Sequence, residues 1–269
     1  MNPMIRKEFR QRMRERRSWL LPSLYLITLC GAVALAYYFA TEEVFSAQQK
    51  QIQGAEVGIA LFYTVAFTQI ALLLLMAPVF SAGNITIEKE QRTLPALLTS
   101  LLSASQIWWG KFVAAVLFLV LLLISALPVL SLSFSMGGVD SSDVALAFGT
   151  TLVIVASVCA VGLFYSSYFR RSVHSTAVTY ATVIAISAIT FITYLLLGSW
   201  WQSSHGSADT PRYFTIPLYL NPFFPLSVLI HDNPHRFQDW AISLITFACL
   251  GLAAALLAIR NLKRSGSQV

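Results

Sequence analysis

Long apolar stretches without charge constrain this chain more than any other feature. Asp, Glu, Lys and Arg are absent from six blocks of twenty or more residues, 19–40, 57–82, 112–136, 144–169, 177–198 and 240–259. A helix rises 1.5 Å per residue, so about twenty residues cross the roughly 30 Å hydrocarbon core of a bilayer. Charged residues make up only 11% of the chain, against roughly 25% in soluble domains. The sequence therefore predicts an all-α integral membrane protein with six transmembrane helices.

The placement of the charges predicts the orientation. Lys and Arg are retained in short cytoplasmic loops, and an even number of spans places both termini on one side. That side receives fifteen of the eighteen basic residues, and the other side receives eight of the twelve acidic ones. We expect a multi-pass protein of the cell (inner) membrane with cytoplasmic termini. Because the charge sorts by topology, the net charge of +6 does not indicate nucleic acid.

Residues 1–18 form a separate segment before the six-span domain, residues 19–269. Ile5, Phe9 and Met13 recur every four residues, and seven basic residues surround them. This pattern predicts an interfacial elbow helix whose arginines contact anionic lipid headgroups. A basic tail that only enforces the topology is the alternative.

The loop between spans two and three predicts a short cytoplasmic helix. Pro95 is expected to end a helix descending from span two at residues 91–94, and Thr93 is placed to cap a new one. Ser103 or Ser105 can cap the helix of span three. Between these caps, leucines recur at i, i+3, i+4, i+7 and i+8, which is the pattern of one apolar face: Leu94, Leu97, Leu98, Leu101 and Leu102. This face rests either on the bilayer and the bundle or on a protein partner.

The segment before span six predicts a hairpin on the outer side of the membrane. Residues 219–229 are too apolar for a solvated loop and too few to span the bilayer. Backbone that is not helical is tolerated at membrane depth only where protein or water satisfies its polar groups. We therefore expect a re-entrant hairpin that packs against the bundle.

The sequence offers no sign of chemistry carried out by this chain. It has no GxxxxGK[ST] phosphate loop, and the predicted spans have no ionisable carboxylate or amine for proton or sodium coupling. His231 and His235 flank Pro234 and are interpreted as loop residues, while Glu42 and Glu43 lack the partners of an intramembrane protease. All three cysteines fall in predicted spans. We expect no enzyme activity, no bound metal or cofactor, and no disulfide.

Polar side chains on spans two and five are candidates for a substrate path. A stripe of this kind also serves as hydrogen-bonding contact between helices, and both interpretations stay open for Thr64, Thr68, Gln69, Thr179, Ser187 and Thr190.

Residues 88–111, EKEQRTLPALLTSLLSASQIWWGK, resemble a segment of the permease subunits of type-2 ABC exporters, the ABC-2 superfamily with the type V exporter fold. That family typically shows a glutamate-rich start, Gly-Thr-Leu, leucine pairs, Thr-Pro, and a Gly-Lys that opens the next span. Arg92 replaces the glycine, Pro95 an acidic residue and Leu101 the proline. The matching residues are Glu88, Glu90, Thr93, Leu94, Leu97, Leu98, Gly110 and Lys111.

The resemblance implies that this chain is the transmembrane permease subunit of an ATP-binding cassette transporter that exports a substrate. A second copy or a paralogue would face it, and a separate ATPase subunit would bind ATP and Mg and dock on the short helix. The residues implied in ATPase coupling are Glu88, Glu90, Arg92, Thr93, Leu94, Leu97, Leu98 and Leu101. The alternatives are a non-ABC membrane transporter or channel, or a membrane scaffold.

Overall fold

The structure is a computed structural model that describes residues 17–46, 54–93, 103–205, 212–230 and 235–266. All regular structure in these ranges is helical. A 3₁₀ helix covers Arg212–Leu220, and the α-helices are α1 (Arg17–Ser46), α2 (Gly54–Ser81), α3 (Thr86–Glu90), α4 (Ala104–Ser125), α5 (Leu127–Met136), α6 (Ser141–Tyr168), α7 (Ser172–His205), α8 (Phe224–Ile230) and α9 (Arg236–Gly266). The predicted elbow helix, up to residue 16, and residues 94–102 of the predicted cytoplasmic helix lie outside the described residues.

Six helical segments are long and apolar enough to cross a membrane, which confirms the six-span, all-α prediction. Spans two to six extend beyond the charge-free blocks because the helices continue through polar residues at one or both ends. In order, the segments are Leu20–Phe39, Val57–Glu90, Ala104–Ser131, Ser141–Tyr168, Ser172–Trp201 and Arg236–Arg264, called spans one to six below.

Span four is the central helix of the bundle and packs against spans two, three, five and six. Small residues allow these close approaches. A Cβ added at Gly162 would lie 2.1 Å from Ser81 Oγ of span two, and one added at Gly251 of span six would lie 3.1 Å from Ser157 Oγ. Glycine is therefore required where span four meets span two.

Spans one and five lie at the periphery. Only 6% of the residues in the most apolar window of span five are buried, against 56% in span four. Large apolar side chains such as Leu24, Ile27, Ile184 and Leu196 are more than half exposed. These two spans therefore present surfaces to lipid or to another transmembrane chain.

Two features of span three follow from local sequence. Its helix begins with a capping box, in which Ser103 Oγ accepts the Gln106 N–H and the Gln106 side chain accepts the Ser103 N–H. This confirms Ser103 as one of the two predicted caps. The helix is interrupted at Ala126, because Pro128 lacks an N–H and restricts the residues before it.

The segment before span six packs against the bundle, as the sequence predicts. At its turn, the buried Asn221 donates to the carbonyl of Ser187 at 3.1 Å and to Thr190 Oγ1 at 3.0 Å, both in span five. The Tyr219 carbonyl accepts from Ser243 Oγ of span six at 3.1 Å. The turn is thus held between spans five and six.

Candidate coupling site

Span two contains a break, after which the short helix α3 forms its last segment. Residues 82–85 form turns, which leave the N–H groups of Ile85 and Thr86 without helical carbonyl partners. Ser166 Oγ of span four accepts both, at 2.9 and 3.0 Å, and all three residues are fully buried. A buried donor left unpaired costs about 1–3 kcal/mol, so the Ser166 hydroxyl stabilises the break.

Lys89 of α3 caps the end of span four. Its Nζ donates to the carbonyls of Ser166 at 3.1 Å and Phe169 at 3.0 Å, and to that of Ser167. The last carbonyls of a helix lack partners within the helix and favour a positive charge. The Lys89 ammonium satisfies both requirements.

Glu90, the next residue, caps the start of span five. Its Oε1 accepts the backbone N–H of Ser172 at 2.6 Å and the Ser172 hydroxyl at 3.0 Å. Ser172 is the first residue of α7, where unpaired N–H groups favour a carboxylate. Adjacent residues of opposite charge therefore hold the adjacent ends of spans four and five.

Glu88 of α3 forms an ion pair with span three. Its Oε1 lies 2.7 Å from Nζ of Lys111, which is only 2% exposed and also donates to the carbonyl of Asn84 at 2.9 Å. Span three begins eight residues before the predicted block, so Lys111 lies within the helix. The lysine lies outside the predicted charge-free block but inside the helix of span three, where an acid on span two neutralises it.

Three consecutive residues thus bind the ends of three different spans. Glu88 binds span three, Lys89 binds span four and Glu90 binds span five. We call Glu88, Lys89 and Glu90, with their partners Lys111, Ser166 and Ser172, the coupling hub. Any displacement of α3 acts directly on four of the six spans.

The chain leaves the hub through a Schellman motif. The Thr93 N–H donates to the Glu88 carbonyl at 2.9 Å, and the Arg92 N–H donates to the Lys89 carbonyl at 3.2 Å. Arg92 adopts φ 56°, the left-handed conformation in which glycine is favoured. The resemblance has glycine at this position, which is the residue that adopts this conformation most readily. The helix therefore ends at Glu90, with Gln91 as its cap.

The predicted coupling residues divide into two groups. Glu88, Glu90, Arg92 and Thr93 come together in the hub and its Schellman turn, with Arg92 and Thr93 exposed. The others, Leu94, Leu97, Leu98 and Leu101, lie outside the described residues. Contact of either group with an ATPase stays a prediction.

Lys89, Ser166 and Ser172 were missed by the sequence reasoning. Lys89 stands between the predicted residues Glu88 and Glu90, and its positive charge near the end of a span could have indicated its role. Nothing in the sequence distinguishes Ser166 from the other serines of span four. Ser172 could have been found as a serine at the start of a predicted helix.

The residues that the sequence suggested for a substrate path also fall into two groups. Ser187 lines a crevice of about 600 Å³ between spans two and five, together with Leu75, Tyr180 and Phe191. Thr190 and Ser187 bind Asn221 of the hairpin. We call this cavity the two–five crevice.

The remaining path residues do not line that crevice. Thr179 is fully buried and donates to the Ser175 carbonyl in its own helix. Gln69 is buried, whereas Thr64 and Thr68 are half-buried, and Thr64 donates to the Ala60 carbonyl.

Comparison with known proteins identifies one family. The family model described as ABC-2 family transporter protein matches residues 3–260, which is nearly the whole chain. No curated protein matches this chain.

Proposed function

This chain belongs to the ABC-2 family of transporter proteins, and from that premise we propose that it exports a substrate with energy from a separate ATPase subunit. It is an ABC transporter permease and a multi-pass membrane protein. Permeases of this family act with an ABC ATPase in general. The chain itself has no phosphate-binding loop, so in this proposal ATP and Mg bind on the partner and this chain is not an enzyme.

The coupling hub is the observation that carries the proposal. It lies immediately before residues 94–102, the leucine-faced segment on which we expect the ATPase to dock. A push on that segment reaches α3 through the Schellman turn, which is tied to Glu88 and Lys89 by two backbone hydrogen bonds. From α3 it passes to spans three, four and five. Sliding and rigid-body rotation of helices are ordinary routes of such transitions.

The two–five crevice is our candidate for one half of the transport path. Its walls are apolar apart from Ser187, Asn221 and Tyr180, whose hydroxyl donates to the Leu75 carbonyl. Span five forms one wall and is also held by Glu90 of the hub. A second copy or a paralogue would face the crevice and complete the path. The uncharged walls suit a lipid, a hydrophobic peptide, a drug or a polysaccharide.

The proposed orientation places the coupling hub and both termini in the cytoplasm of a cell whose inner membrane the chain spans. Basic residues concentrate at that end of the bundle, as retention of Lys and Arg requires: Lys89, Arg92, Lys111, Arg170, Arg171, Arg260, Lys263 and Arg264.

The outer hairpin is proposed to re-enter the membrane. Asn221 binds Ser187, which is fifteen residues from the start of α7 at Ser172 and thus about 22 Å along the helix. If α7 enters the hydrocarbon core near Ser172, this distance supports a turn within the roughly 30 Å of the core.

Replacement of Leu97 and Leu98 together by Asp tests the proposal. We expect the double variant to insert normally, because neither residue lies in a span predicted from the sequence, but to lose co-purification with the ATPase and the stimulation of ATP hydrolysis in reconstituted vesicles. Ala96→Asp is the control, since residue 96 lies on the opposite side of the predicted helix. Unchanged stimulation in the double variant would reject the assignment of this segment as the docking helix.

A further inference from the structure

A second apolar cavity, of about 280 Å³, lies between spans four, five and six. Val161, Ile186 and Leu257 contribute to its three walls, and Leu220 and Pro222 of the outer hairpin lie at one end. Only Val183 is shared with the two–five crevice. We call this cavity the four–five–six crevice.

The crevice lies in the half of the bundle nearest the basic residues. Span four lines it with residues 157–165 of a helix that ends at Tyr168, and span six with residues 247–257 of a helix that ends at Gly266. Span five contributes residues 182–186, ten to fourteen residues after its start at Ser172 and in the first half of that helix. Leu220 and Pro222 of the hairpin line the crevice at the end away from the basic residues, so an occupant would enter from the basic end.

The polar groups in the walls are already satisfied. The hydroxyls of Tyr165 and Thr182 hydrogen bond to each other at 3.1 Å, and Ser157 Oγ donates to the Val153 carbonyl. Every other lining residue is apolar. A methylene chain therefore fits these walls, whereas a polar occupant would lose hydration without gaining partners.

Four arginines lie at the basic end of the spans that form the crevice. Arg260 and Arg264 follow Leu257 by three and seven residues, a spacing that keeps them near the same face of span six. Arg170 and Arg171 form the turn between spans four and five, and all four side chains are exposed. Residues 166–176 and 256–266 contain no Asp or Glu, so both segments carry a net positive charge.

We propose that the four–five–six crevice binds an anionic phospholipid, with one acyl chain between the spans and the phosphate beside these arginines. Basic pockets between transmembrane helices at the cytoplasmic side bind anionic headgroups by the same electrostatics. Bound there, the lipid fills the space between span five and its neighbours and so supports the span that Glu90 holds. This site is distinct from the proposed transport path and does not depend on its identity.

Native mass spectrometry of the purified full chain, titrated with phosphatidylglycerol or phosphatidylcholine, tests the proposal. The unmodified chain should bind phosphatidylglycerol more tightly. In the Arg260→Gln/Arg264→Gln variant this preference should fall about fivefold for each arginine removed, while phosphatidylcholine binding stays unchanged. Equal binding of the two lipids by the unmodified chain would overturn the anionic assignment.

Filling the crevice tests its position. Ala253→Trp on span six and Val161→Trp on span four should each abolish tight binding of both lipids, since both side chains line the cavity. Leu252→Trp is the control, because Leu252 is 63% exposed on the same helix and does not line the crevice. The melting temperature of each variant, measured in detergent, separates filling from misfolding. Binding unchanged in either well-folded filling variant would show that the lipid lies elsewhere.

Discussion

Single side chains in this protein hold the ends of whole helices in place. Lys89 and Glu90 are neighbours in sequence, yet each satisfies the end of a different span through charge and hydrogen bonds. Lys111 is buried beside Glu88, and a buried ion pair is sensitive to the loss of one partner more than to the loss of both. The residues of the hub can therefore be tested one at a time.

The Glu88–Lys111 pair gives the first such test. Lys111→Met should lower the free energy of unfolding by about 3–5 kcal/mol, because it leaves the Glu88 carboxylate near the protein interior without its cation. The Lys111→Met/Glu88→Gln double variant should recover a large part of that loss. Denaturant titration in mixed micelles provides the measurement, and a double variant less stable than Lys111→Met would contradict the pairing.

Arg92 gives a test in which a substitution should raise the stability rather than lower it. Arg92→Gly should raise the stability by about 0.5–1 kcal/mol, because glycine adopts φ near 56° without the strain of a side chain. Gln91→Gly is the matched control and should lower it, since Gln91 has an ordinary right-handed φ of −78°. Apparent melting temperatures of the two variants and of the unmodified chain, taken under one set of conditions, measure both changes. An unchanged or lower value for Arg92→Gly would argue against the Schellman turn.

At the scale of elements, span four organises the bundle through small residues. Its approach to span two depends on Gly162, where any Cβ would meet Ser81. The same contact brings Ser166 to the break in span two. Close packing and the satisfaction of the broken helix are thus two consequences of one helix pair.

Gly162→Ala should therefore destabilise the bundle by about 1–3 kcal/mol through overpacking. Gly149→Ala on the same helix should cause no loss, since nothing lies within 4 Å of its added Cβ and alanine is the better helix former. Combining Gly162→Ala with Ser81→Gly should restore stability by removing the clashing side chain. Melting temperatures in detergent check all three variants. Equal values for the two alanine variants would contradict the close approach.

At the scale of the whole molecule, the hub and the hairpin lie at opposite ends of the bundle. The hub lies at the basic end of spans two to five, and the hairpin closes spans five and six from the opposite end. Span five connects both, and its exposed surface remains available to a second transmembrane chain. The proposed transport cycle requires the hub to face the cytoplasm.

Cysteine labelling of intact cells tests this orientation. In a background in which Cys30, Cys159 and Cys249 are replaced by Ala, Asp140→Cys should react with an impermeant maleimide, because the loop after span three is expected outside. Arg171→Cys, in the turn after span four, should react only after the cells are permeabilised. Both side chains are exposed, so accessibility within the fold does not limit either reaction. The reverse pattern would invert the topology.

The six spans and the end of the helix of span two near Gln91 follow from the sequence because they are local properties. Length and the absence of charge define a span, and Ser103 with Gln106 defines the start of span three. Spans two to six are longer than the charge-free blocks at one or both ends, because their helices continue through polar residues. That extension includes Lys111, which the sequence prediction had placed just before span three.

Only the tertiary structure decided which helix ends meet. Glu88 and Glu90 were singled out as residues for a partner protein, and the fold showed that they also bind spans three and five. Ser166 and Gly162 acquire their roles only through contact with residues about eighty positions away. Length and the absence of charge determine that a helix crosses a membrane, but every span shares those properties, so shape and hydrogen bonding select its neighbours.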